Sequence, residues 1–288
     1  MIMKKTLRKR MLALFAAVCM CVPAAATAGQ ADSPVAVTAV AEQSPYGSYY
    51  VIDHNGVVCT ANMATLNKGN MMWFPESMLT SSQELPVIVW ANGTMCAPAL
   101  YYEFLSQVAA AGYIVVTNTE LFAGNGQEQK ASIDFILGED TDPDSVFYGK
   151  IDEAHVGVMG HSQGGMSSVN CANLDNRVDC VFSIAGNSSK SSASKLKVPT
   201  FFATGDRDLI VPSWQYVKPS YQACKAPAVY GNVRSAMHTT VCSNPSVYSK
   251  YAIKWFDAYL KGGSKAAFRS GGELFRDSDW SNVASKKI

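Results

Sequence analysis

Ser162 stands in the stretch VGVMGHSQGG (residues 156–165), where a run of strand-forming residues stops and glycines flank a serine. A serine hydroxyl is a weak nucleophile until a base takes its proton and a third group orients that base. The pattern Gly160-His161-Ser162-Gln163-Gly164 has the G-x-S-x-G spacing of a sharp strand-to-helix turn. On such a turn the serine backbone is strained, and side chains two residues to either side would collide, which accounts for the glycines. The result expected is an exposed Oγ at a helix N-terminus, whose dipole favours a developing oxyanion.

This turn predicts partners in the chain order serine, acid, histidine. Of the four histidines, only His238 follows Ser162, so it is the expected general base. His54 and His155 read as structural or surface groups. His161 abuts the nucleophile, where it can line a pocket but is too tightly tethered to act as the base. The acid should follow a strand between serine and histidine, and "TFFATGDRDLIVP" supplies Asp206 and Asp208. Asp208 is favoured, with Asp206 as the runner-up. An oxyanion hole needs two backbone N–H donors, expected at Gln163 directly after the nucleophile and at Thr94 in "ANGTMCAP" after the preceding apolar strand. Asn92-Gly93-Thr94 also satisfies the N-x-T glycosylation pattern.

The elements that must position these groups follow from periodicity. "YYVIDHNGVVCTANM" reads as two strands joined at Asn55-Gly56. Apolar runs at 86–91, 113–119, 155–160, 179–185, 198–204 and 227–233 read as strands. Residues 100–112, 127–138, 163–174 and 244–262 read as helices. Short apolar strands separated by helical crossovers imply a mostly parallel sheet covered on both faces. Ligands then bind beyond the carboxyl ends of the strands, where Ser162 is expected.

Hydrophobic residues make up 48% of the 288, enough for a sizeable core, and the formal charge is only +1. That balance gives no reason to expect nucleic acid or an anionic membrane as partner. Lys4, Lys5, Arg8, Lys9 and Arg10, the apolar run "MLALFAAVCMCVPAAA" and Ala26-Thr27-Ala28 read as a signal peptide over residues 1–28. Residues 29–288 then form one catalytic domain, secreted or periplasmic, with no transmembrane segment and a monomer as the expected state. Cys59, Cys96, Cys171, Cys180, Cys224 and Cys242 remain after processing, and exported proteins favour disulfides. Adjacency suggests 171–180, 224–242 and 59–96. "EDTDPDS" alternates aspartates as a calcium loop would, but Ser145 replaces the sixth-position glycine, so a solvated acidic turn is the reading and no metal is assigned.

"YGKIDEAHVGVMGHSQGG", "VPTFFATGDRDLIVP", "AAAGYIVVTNTE" and "YAIKWFDAYLKG" occur in the same order as similar stretches in bacterial cutinases and polyester hydrolases of the poly(ethylene terephthalate) hydrolase type. The chain resembles that group over about residues 86–262. The resemblance implies an α/β-hydrolase fold with eight or nine strands, no cofactor, and a serine esterase mechanism on an ester or polyester substrate, and no insertion between the strands is long enough for a large lid. It also supports Asp208 over Asp206. Two departures stand out. The family's aromatic after the oxyanion-loop glycine is replaced by Thr94 and Met95, and its tryptophan after the strand following the elbow helix by Ala185-Gly186-Asn187. Those aromatics clamp aromatic polyester units. Met95, His161, Asn187 and Trp214 are therefore the expected cleft residues, with short- to medium-chain esters or aliphatic polyesters as substrates. The family's disulfide near the histidine loop would correspond to Cys224 with Cys242. A triad alone serves a peptidase or thioesterase as well. An inactive binding protein on the same fold would have no need of His238.

Overall fold

Ten strands make one sheet in the computed structural model, which describes residues 49–61 and 69–288. The expected signal peptide and the leader after it lie outside the described residues. β1 (Tyr49–Ile52) and β2 (Val57–Ala61) form the expected hairpin. Gly56 takes the left-handed conformation the turn requires, with φ 68°. The Asp53 carboxylate accepts the N–H groups of Asn55 and Val57 at 2.9 and 3.1 Å. The remaining strands are β3 (Asn70–Pro75), β4 (Leu85–Ala91), β5 (Ile114–Asn118), β6 (Ile151–His161), β7 (Val178–Ile184), β8 (Thr200–Gly205), β9 (Ala228–Val233) and β10 (Trp280–Lys286). Their order is β1-β2-β3-β5-β4-β6-β7-β8-β9-β10. Pairing is parallel from β5 through β4 to β9 and antiparallel at both ends. This is the mixed, mostly parallel α/β sheet expected, but with ten strands rather than eight or nine.

The two unexpected strands have physical reasons for being illegible. "NMMWFP" is rich in methionine and stops at a proline, and "WSNVASK" is polar, half-buried and broken by a register shift between Ser281 and Ala284. Each is recruited by an unpaired neighbour, β5 and β9 respectively, rather than by its own propensity.

The helices are α1 (Tyr102–Ala110), α2 (Gln127–Glu139), α3 (Gln163–Leu174), α4 (Lys190–Lys195), α5 (Val217–Ala223), α6 (Thr240–Ser243), α7 (Ser246–Leu260) and α8 (Glu273–Arg276). Alternation along each central strand sends side chains to two separate cores. Ile88 and Trp90 of β4 pack with α1 and α7, alongside Phe104, Tyr251, Trp255 and Phe256. Val87 and Val89 face the other way, toward Ile133 and Ile136 of α2 and Val169 of α3. The central strands are thus apolar on both faces and reach water at their ends.

That division corrects the expected disulfides. Cys180 belongs to the α1/α7 core and Cys171 to the α2/α3 core, so the sheet separates them. The same barrier divides Cys224 from Cys242. Cys59 and Cys96 share a face, yet Cys59, like Cys171, Cys180 and Cys224, is a buried thiol in no disulfide. Proximity in sequence failed here because consecutive elements on opposite sides of a sheet are close in number and far apart in space.

Candidate active site

At the end of β6, Ser162 adopts φ 58° and ψ −118° as the N-cap of α3. A residue carrying a β-carbon rarely accepts that conformation. It is held because the chain on either side comes closer than side chains permit. A β-carbon on Gly160 would lie 2.4 Å from the Gly164 carbonyl oxygen, and one on Gly164 only 1.9 Å from the Ala91 carbonyl oxygen. One on Gly165 would meet the Gly186 Cα at 2.9 Å. The Ser162 N–H donates to the Ile184 carbonyl at 2.8 Å, which ties the turn to the end of β7. Its Oγ is buried and makes no hydrogen bond to any described residue.

Asp208 and His238 meet because their strands are neighbours. Gly205, the last residue of β8, pairs with Val233, the last of β9, so the loops that follow leave the sheet side by side. His238 Nδ1 donates to Asp208 Oδ2 at 2.7 Å, with both side chains almost wholly buried. Asp208 Oδ1 accepts the N–H groups of Ile210 and Val211 at 2.9 and 2.8 Å. Three charge-assisted bonds therefore fix one carboxylate. Asp206, the other candidate, is exposed, and its Oδ1 accepts the Ser235 N–H at 2.7 Å. It pins the approach to the histidine loop, while the imidazole bonds to Asp208.

Across the sheet, Ala91 of β4 pairs with Gly160 of β6, which sets residues 92–96 beside the elbow. Asn92 is buried, with its Oδ1 accepting from Trp90 Nε1 at 3.0 Å and its Nδ2 donating to the Asn118 carbonyl at 2.9 Å. An amide so enclosed is a loop anchor and no glycosylation acceptor. Thr94 follows on this loop. Gln163 is the first residue of α3, where a helix leaves its N–H without an intrahelical acceptor.

The four expected cleft residues separate into two groups. Met95 is 43% exposed and Trp214 75%, both on loops after strands, while Asn187 is half-buried behind the elbow. The Asn187 Oδ1 is enclosed and has no partner among the described residues. His161 departs from its expected place. It is 2% exposed and faces inward, with Nε2 2.8 Å from the His238 carbonyl and Nδ1 3.0 Å from the Tyr101 hydroxyl. Its ring lies 4.7 Å from that of His238. Burial first, and the neighbouring His238 second, hold its pKa well below the ordinary histidine value, so it is neutral. Burial, with the Cys96 and Cys242 thiols nearby, pushes the Tyr101 hydroxyl well above its usual range, so it keeps its proton. Tyr101 reads in sequence as one more aromatic in "LYYEFL", and no local signal marks it.

Asp140, in the acidic stretch, spends its Oδ1 on the N–H groups of Lys150 and Ile151, each at 2.9 Å. Among the described residues, no three His, Cys, Asp or Glu side chains gather where a metal could be held. Nor is any described helix long and apolar enough to cross a membrane.

A serine on a strained turn and an imidazole oriented by a buried carboxylate are groups suited to acyl transfer. A model of the PET hydrolase-like family matches residues 34–270. A bis(hydroxyethyl) terephthalate hydrolase of Streptomyces coelicolor is 24% identical over 199 residues, covering 67% of this chain and 62% of that protein. Cutinase 2 of Thermobifida cellulosilytica is 23% identical over 161 residues, covering 54% of this chain and 60% of its own length. Cutinase cut1 of Thermobifida fusca is likewise 23% identical, and the match covers 50% of it. The matches thus span between half and about three fifths of the relatives' length.

Proposed function

The chain belongs to the PET hydrolase-like family, and from that premise we propose that it is an exported serine carboxylester hydrolase working through Ser162, His238 and Asp208. Ser162 Oγ attacks the ester carbonyl carbon while His238 Nε2 takes its proton. Asp208 keeps the other imidazole proton on Nδ1 and stabilises the imidazolium that forms. The negative charge on the tetrahedral oxygen is met by the N–H groups of Thr94 and Gln163. Collapse expels the alcohol, which receives the proton from His238 and leaves an acyl-serine. Water, deprotonated by the same imidazole, then releases the acid.

The observation that carries this reading is the 2.7 Å bond between His238 Nδ1 and an Asp208 carboxylate already held by two backbone amides. Short- to medium-chain esters or aliphatic polyesters are the proposed substrates. Exposed Met95, Leu121, Phe122, Leu209, Trp214 and Met237 sit on the loops after β4, β5, β8 and β9, and they offer an open apolar rim. The family's aromatic clamp is absent from Thr94–Met95 and Asn187, which favours flexible acyl chains over planar aromatic units. The relatives' names point to terephthalate esters and cutin, so both substrate types belong in the comparison.

Initial rates on p-nitrophenyl esters from acetyl to palmitoyl test the proposal, with Ser162→Ala as control. Hydrolysis strongest at short to medium chains is expected, falling by at least about 10⁴-fold in the variant. A folded protein silent across the series, or an equally active variant, contradicts it.

A further inference from the structure

We propose that Tyr101 and His161 are positioning residues. They hold the oxyanion loop, the nucleophile turn and the histidine loop in one fixed arrangement through a single directional chain of hydrogen bonds. The inference rests on the acyl-transfer reading above and adds two residues to it.

The direction of the chain follows from its ends. The Gly93 N–H can only donate, and it reaches the Tyr101 hydroxyl oxygen at 3.1 Å. The His238 carbonyl can only accept, and His161 Nε2 lies 2.8 Å from it. Between them, Tyr101 Oη and His161 Nδ1 are 3.0 Å apart. With His161 neutral, as its burial keeps it, only one proton arrangement satisfies all three contacts. Gly93 donates to Tyr101, Tyr101 donates to Nδ1, and His161, neutral with its proton on Nε2, donates to the carbonyl. The other neutral tautomer, with its proton on Nδ1, would leave the His238 carbonyl without its donor.

Each link belongs to a different segment. Gly93 precedes Thr94, His161 precedes Ser162, and the accepted carbonyl is that of His238 itself. The chain therefore joins the three segments that carry the proposed oxyanion donor, nucleophile and base. It lies beneath them, since Tyr101 and His161 are buried. The enclosure is tight. A β-carbon on Gly93 would come 2.8 Å from the Tyr101 hydroxyl and 3.3 Å from His161 Nδ1, so only glycine lets the loop close onto the chain. Reaction rates respond to displacements of about 1 Å by about 100-fold, so a device that fixes these loops acts on turnover more than on binding. A core-packing role alone predicts otherwise. The Tyr101 ring packs against Trp90 with centroids 4.8 Å apart, and phenylalanine would preserve that contact.

Tyr101→Phe, His161→Gln and His161→Leu in the full chain separate the two roles. Active sites are counted with a fluorophosphonate, and kcat and KM for p-nitrophenyl butyrate are expressed per titrated site. Tyr101→Phe is expected to lower kcat by about tenfold with KM changed less than about twofold. His161→Gln retains a carbonyl for Tyr101 and an N–H for the His238 carbonyl. It should recover kcat to within roughly threefold of wild type, while His161→Leu falls about 100-fold. Variants that melt earlier yet keep wild-type kcat per titrated site would overturn the proposal, as would equal rates for glutamine and leucine. Nitrogen-detected NMR of wild-type imidazoles gives an independent reading. A neutral ring protonated at Nε2 is expected for His161, and protonation at Nδ1 would overturn the chain. A wild type that neither titrates nor hydrolyses esters would instead defeat the acyl-transfer reading.

Discussion

Ser162 is one of four non-glycine residues of positive φ that lie beyond the carboxyl ends of the parallel strands: Met95 after β4, Ser162 after β6, Ala185 after β7 and Ser235 after β9. Such conformations cost roughly 1–3 kcal/mol each and gather where surrounding structure over-determines them. Here they ring one end of the sheet, the end at which Asp208 meets His238. The choice between two aspartates belongs to this scale. Asp208→Asn leaves the imidazole facing an amide that can present a donor, so kcat should fall by about 10⁴-fold. Asp206→Asn disturbs only the Ser235 tether, and its kcat should stay within about tenfold of wild type. Steady-state kinetics on p-nitrophenyl butyrate measure both, and a reversed ranking would assign the acid to Asp206. The sequence narrows the acid to two residues because strand and histidine order bracket the loop. It ranks Asp208 above Asp206 by resemblance, but carries no record of the backbone turn that buries one carboxylate and exposes the other. His161 is less legible still. Its partner Tyr101 lies 60 residues earlier, and nothing local distinguishes a cleft histidine from one facing inward.

The elbow exists because β6, α3 and the end of β4 approach at backbone distance, and Gly164 is the narrowest point. Gly164→Ala places a carbon 1.9 Å from a carbonyl oxygen that has no flexible end to move. The variant should lose about 2–3 kcal/mol, roughly 5–10 °C in Tm, together with most esterase activity. Calorimetry and rate assays check it, and a wild-type Tm would mean the elbow is looser than described. Helix α3 is read from the sequence over the same residues, 163–174, because glycines and a serine mark its start and apolar spacing fixes its face. β3 and β10 are not so marked. Strand pairing with a waiting neighbour creates them, and periodicity within six or seven residues carries no record of that neighbour.

At the scale of the molecule, a sheet apolar on both faces leaves its strand ends as the place where polar chemistry meets water. That arrangement is why strand order alone points to the end of the sheet where Ser162, Asp208 and His238 lie. It is also why the cysteine pairs read from adjacency fail, because the sheet stands between Cys171 and Cys180 and between Cys224 and Cys242. The central claim is that one serine in the folded chain is activated for acyl transfer, among many that are not. A fluorophosphonate incubated with the native protein, followed by peptide mass mapping, tests this most directly. The account predicts a single adduct on the peptide containing Ser162, lost on denaturation before labelling and absent in Ser162→Ala. No adduct on the native chain, or one on a different serine, would contradict it.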